Sequence, residues 1–148
     1  MTTGKGSFVQ LRKTMIRRYN MPLPPDGPDE SYDVAAHRTA FAAFLKWLKG
    51  NLAGQTAIRV DAAWCTQSQA IQGFGELCLP DRILREDDLV SELSALAASV
   101  GRLDAPAPQT PVADQPFGLD AVYDDEIEKL AAQAYQRDYV TFGFSRWK

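Results

Sequence analysis

Histidine is nearly missing from this 148-residue chain, cysteine is scarce, and no long uninterrupted hydrophobic run occurs. A single imidazole, His37, and two thiols, Cys65 and Cys78, cannot assemble a zinc set from protein ligands alone, so no metal is expected. Twelve residues separate the cysteines, which matches neither a zinc pair nor a Cys-x-x-Cys redox motif. Both are expected as buried free thiols. His37 has no serine or cysteine at a recognisable spacing, so a nucleophile–base triad is not arguable. It is read as an exposed histidine at a helix start. The longest apolar stretches are amphipathic, which excludes a membrane-spanning segment. Residues 1–7 carry charge with no hydrophobic block behind it, unlike a secretory signal. The expectation is a soluble protein of cytoplasmic location.

What is there suffices for an ordinary fold. A chain of this length suits one domain, 1–148, and buries roughly 70% of the surface it exposes when unfolded. Hydrophobic residues make up 45% of it. Charge is unevenly spread. The first 20 residues hold Lys5, Arg12, Lys13, Arg17 and Arg18 and no acid, while the remainder carries a net charge of −8. A basic arm on an acidic body either meets an anionic ligand or pairs with its own domain. The acidic body argues against nucleic acid as a partner.

Periodicity places four helices. In residues 8–19, Phe8, Leu11, Met15 and Tyr19 form one stripe with the arginines opposite. Residues 34–52 repeat the pattern, with Phe41, Phe44, Leu45, Leu48 and Leu52 inward and Arg38, Lys46 and Lys49 outward. A third helix follows Asp87 or Asp88, either of which can cap it, and buries Leu89, Leu93, Leu96, Ala97 and Val100 before Gly101 ends it. The last begins at Asp124-Asp125-Glu126, buries Ile127, Leu130, Ala131, Ala134 and Tyr135, and runs into an aromatic tail of Tyr139, Phe142, Phe144 and Trp147. Residues 64–77 are compatible with a helix interrupted by Gly73 and Gly75. Residues 57–60 are predicted as a short strand and 82–85 as an extended run. Two Pro-rich loops, 20–33 and 104–120, connect these elements; the first reads as too polar to hold a core position.

Candidate chemistry is thin. Gly4-Lys5-Gly6-Ser7 superficially resembles a phosphate loop, but it lacks the preceding strand and the full spacing that wraps amides around phosphate. Glu86-Asp87-Asp88 supplies oxygen ligands for a cation, although capping explains a cluster at a helix start. The aromatic tail either closes the core or forms a partner surface.

Three ordered segments carry a resemblance. Phe41-x-x-Phe44-Leu45-x-Trp47-Leu48 is followed by Trp64-Cys65-Thr66-Gln67; Arg85, Asp87 and Leu89 punctuate the stretch from Asp81; and Tyr123-Asp124-Asp125-Glu126 precedes Tyr135-x-x-Asp138-Tyr139-x-x-Phe142-Gly143-Phe144. Together, over residues 8–144, they are similar to the C-terminal part of the carbohydrate sulfotransferase family. Relatives commonly carry histidine before the tryptophan, where Ala63 stands, proline at the place of Thr66, and glutamate at the place of Asp87.

The resemblance implies an α/β, P-loop-like sulfotransferase architecture, with this chain predominantly α-helical and one to three short strands. It implies sulfuryl transfer from 3′-phosphoadenosine 5′-phosphosulfate to a hydroxyl, typically on a carbohydrate. Such chemistry rests on positioning and charge stabilisation. The donor-binding loop is not among these residues, so no catalytic residue is assigned. The expected arrangement is a fragment that needs a missing N-terminal half or a second copy. Trp64 and Gln67 are candidates to line an acceptor cleft, with core packing the alternative for Trp64. Arg85 is a candidate to orient acidic groups, or to pair with Glu86 or Asp88. Arg17 and Arg18, with Arg12 and Lys13, either face an anionic ligand or form a solvated face. A non-catalytic helical interaction module is the competing reading.

Overall fold

The computed structural model describes residues 4–103 and 117–147, with every side chain in them except those of residues 4–8 and 74. Six α-helices are present among them: α1 (Gly4–Tyr19), α2 (Val34–Leu52), α3 (Gln67–Gly75), α4 (Leu89–Ser99), α5 (Asp125–Ala134) and α6 (Gln136–Phe142). Short 3₁₀ turns at Glu86–Asp88 and Leu119–Ala121 lead towards α4 and α5. No strand occurs among the described residues, so the short strands expected by resemblance are not seen there. The side chain of Phe8, and most of the predicted loop 104–120, lie outside the described residues. Two compact units divide the chain, Met1–Ile71 with Gln115–Lys148 and Gln72–Asp114, the boundary falling within α3.

The first unit is built on α2 and α5, whose apolar faces pack together. Leu48 and Ile127 at their contact are 1% and 0% exposed. Full burial of such a side chain stabilises by about 1.5–3 kcal/mol. Leu45, Met15 and Trp64 join the same core, with Leu11, Tyr19, Phe41, Phe44, Leu130, Ala131 and Tyr135 packed around it. The starts of α2 and α5 are each fixed by a carboxylate. The Asp33 side chain accepts from the Ala36 amide, and Asp124 accepts from the Glu126 and Ile127 amides. Arg38, expected to point to solvent, instead reaches across to Asp124 and Glu126, with Nη2 2.8 Å from Glu126 Oε2. Those two hydrogen bonds raise the guanidinium's pKa, and the amide bond from Ile127, helped by Arg38, lowers that of Asp124.

The predicted loop 20–33 departs from expectation at its start. Asn20 turns the chain with φ +50°, the Met21 amide returns to the Met15 carbonyl, and Met21 is 4% exposed in the core. One apolar residue behind a left-handed turn is enough to draw the segment inward. Residues 57–60 form no strand; the carbonyl of Ile58 instead accepts from Asn51 Nδ2 over 2.6 Å. The predicted helix 64–77 is shorter. It begins at Gln67 behind Thr66, whose hydroxyl accepts from the Gln69 amide while Gln69 Oε1 accepts from the Thr66 amide. That reciprocal pair is a capping box.

In the second unit, the face of α4 follows the predicted period, but Leu89, Leu93, Leu96 and Ala97 are only half-buried and Val100 is exposed. Neither Asp87 nor Asp88 caps it through its side chain, since the 3₁₀ turn that contains both precedes the helix. The helix stops as expected. Gly101 has φ +78°, its amide bonds to Ala98, and the Arg102 amide bonds to Ala97, the paired closure of a Schellman motif. Cys65 is half-buried and Cys78 exposed; both thiols are free, and neither is buried as predicted. No helix among the described residues is long and apolar enough to cross a membrane.

Candidate functional site

A cleft of about 300 Å³ opens in the first unit between α1, the 20–33 segment and α2. Leu11 and Met15 line it from α1, Met21 and Leu23 from the segment after it, and Ala40, Phe41 and Phe44 from α2. These residues reach one space because α1 and α2 both carry apolar stripes at helical spacing and Met21 is pulled between them.

The polar groups on the cleft are Arg12, Tyr32 and His37. His37 is half-buried, contrary to the exposed position predicted. Its Nδ1 shares a 3.1 Å hydrogen bond with the Tyr32 hydroxyl, and Phe117 packs against both rings, with centroids 5.4 Å and 6.5 Å away. Burial pushes the pKa of Tyr32 up, while the nearby Arg12 cation pulls against that rise. Arg12 also lies over the turn at Gly27, where φ is +114° and a Cβ would come within 3.4 Å of Nη1. Glycine therefore serves the backbone and leaves space for the guanidinium.

The residues singled out by resemblance lie elsewhere. Trp64 is 9% exposed in the core, edge-on to Trp47, and its Nε1 donates to Asn51 Oδ1 over 2.9 Å. It takes the packing role rather than a place on this cleft. The Gln67 side chain is exposed, whereas its amide donates to Asp138 Oδ2 over 2.7 Å. Arg17 and Arg18 are exposed on the last turn of α1, and Arg85 is exposed in the second unit. Trp64 and Gln67 do meet the chain's final motif. Tyr135 donates from its hydroxyl to the Trp64 carbonyl, and Asp138, 2% exposed, accepts from the amides of Gln67 and Ser68 and from the Ser68 hydroxyl. This places a carboxylate at the positive end of α3.

A second polar cluster surrounds Glu128, 6% exposed. It accepts from the hydroxyls of Tyr123 at 2.6 Å and Tyr139 at 3.1 Å, and from the Trp147 amide at 3.4 Å. Phe144 meets Tyr139 edge-on and Trp147 packs at a tilt against Tyr123, so the aromatic tail folds back on α5. Burial raises the pKa of both phenols, and the hydrogen bond to Glu128 adds to it. The open pocket beside this cluster, about 610 Å³, mixes Asp125 and Glu128 with Lys129 and Arg146. Its charges offset one another, and of the residues lining it only Ala132 is apolar. Among the described residues no group of three or more His, Cys, Asp or Glu could hold a metal ion.

Sequence reasoning missed Asp138, Glu128 and the Tyr32–His37 pair as organising groups. The Thr66-x-x-Gln69 spacing was available as a signal for the start of α3; nothing local pointed to its partner 70 residues on. Comparison with family models, with curated proteins and with solved structures gives no match to this chain.

Proposed function

We propose that the chain is a non-catalytic helical binding module whose first unit receives an apolar group in the α1–α2 cleft. The observation that carries this reading is the cleft's lining: seven apolar side chains and three polar ones, with His37 engaged by Tyr32. A preformed apolar concavity with a few convergent polar groups is the usual form of a small-ligand site, and about 300 Å³ is at the small end of that range.

The competing reading is sulfuryl transfer from 3′-phosphoadenosine 5′-phosphosulfate to a carbohydrate hydroxyl, within an α/β enzyme of which these helices form part, in the cytoplasm. Its support is the resemblance of the three segments and the packing of two of them against each other at Trp64, Gln67 and Asp138. A thermal-shift comparison separates the two. Octanol, a neutral apolar probe, is expected to raise the melting temperature in a saturable way, while 3′-phosphoadenosine 5′-phosphate leaves it unchanged. At a hundredfold excess over Kd, binding to the folded state adds about 2.7 kcal/mol. Stabilisation by the nucleotide and none by octanol would reverse the assignment.

A further inference from the structure

We propose that the cleft's occupant is a short amphiphilic carboxylic acid, its tail among Met15, Met21, Phe41 and Phe44 and its carboxylate on Arg12. This rests on the binding-module reading and adds the chemistry of the ligand's head.

Charge complementarity carries the step. Among the described residues, Arg12 is the one Lys or Arg that lines the cleft, no carboxylate side chain lines it, and Arg12 makes no ion pair. Arg12 is half-buried, whereas Lys13, Arg17 and Arg18 on the same helix are exposed. A guanidinium on a half-buried residue at an apolar cleft gains more from an anion than one in open water, because the local dielectric is lower. Its planar fork matches a carboxylate through two parallel hydrogen bonds. One positive charge matches a monoanion; a dianionic phosphate would leave a second charge poorly compensated beside Phe41 and Met21.

Size sets the tail. The volume of about 300 Å³ equals that of about ten waters at the ~30 Å³ each occupies in the liquid, and thus a ligand of about ten non-hydrogen atoms. Octanoate is such a molecule. Octanol keeps its tail without the charge, and octylammonium reverses the charge.

Isothermal titration of the whole chain with these three probes tests the proposal. Octanoate is expected to bind about tenfold tighter than octanol, with octylammonium weakest. Arg12→Met keeps an apolar stem and should bring the octanoate-to-octanol affinity ratio from about ten to about one. Octanol binding as tightly as octanoate to the wild-type chain would overturn the carboxylate assignment and leave the cleft reading standing, whether or not the variant folds. An unchanged octanoate-to-octanol ratio in a folded Arg12→Met would overturn it as well. Failure of both octanoate and octanol to bind would remove the binding-module reading itself.

Discussion

Replacing Asp138 by alanine should weaken the fold more than any local rule for a residue near a chain end suggests. Its carboxylate accepts three hydrogen bonds, from the Gln67 amide at 2.7 Å, the Ser68 amide at 3.0 Å and the Ser68 hydroxyl at 2.6 Å. The hydroxyl can rotate to another acceptor, and Gln67 is exposed enough for water to reach its amide. The Ser68 amide has neither escape, since Ser68 is 6% exposed. A buried donor left without a partner costs about 1–3 kcal/mol, and the lost charge at the helix start adds to that, so the total is about 3 kcal/mol. For a chain of this size the melting temperature should fall by about 6–12 °C. Asp138→Asn, which keeps one acceptor oxygen, should lose about half as much. Urea denaturation with circular dichroism measures both. A loss below about 0.5 kcal/mol for the alanine variant would show that Asp138 does not hold α3 in place.

Other consequences are as direct. Trp64→Phe should cost about 1–2 kcal/mol more than Trp47→Phe in the same denaturation assay: the first strands Asn51 Oδ1, whereas the second removes an indole nitrogen that is buried without a hydrogen-bond partner. Equal losses would mean the Trp64–Asn51 bond contributes nothing net. Ile127→Ala, at the centre of the α2–α5 contact, should lose about 3–4 kcal/mol, and Ile127→Val about 1 kcal/mol. High pH should destabilise the fold through its phenols. Tyr123, Tyr135 and Tyr139 have pKa values raised by burial, so the unfolded chain releases their protons first. Their contribution is fully present below about pH 10 and is lost progressively as pH rises above it. Tyrosinate absorbance at 295 nm, read beside unfolding free energies, checks both; free titration of all five phenols near pH 10 in the folded protein would contradict it.

The helices were legible where period alone decides. The bounds Val34–Leu52 and the start at Asp124-Asp125 follow from apolar spacing and from acids suited to a helix start, both local properties. Gly101 was readable as a stop for the same reason. What escaped was decided by side-chain bonds and turns that apolar spacing does not encode. At 57–60, where a strand was predicted, the Ile58 carbonyl instead accepts from Asn51, and Asp87 and Asp88 do not cap α4 because the chain enters it through a 3₁₀ turn. The last helix was predicted as continuous into the aromatic tail, yet it breaks at Tyr135, which leaves Asp138 free to meet α3. Met21 shows the limit of composition most clearly. A segment rich in proline and acid reads as surface, but its one methionine, placed behind Asn20, completes the wall of the cleft.

That wall also provides the most direct probe of the central claim. The chain has three methionines, and two of them, Met15 and Met21, line the cleft. With ¹³C-labelled methionine methyls, titration with octanol should shift the Met15 and Met21 signals together along one saturable curve and give contacts from both methyls to the octyl chain. Signals that stay fixed while octanol reaches its solubility limit would show that nothing apolar enters between α1 and α2.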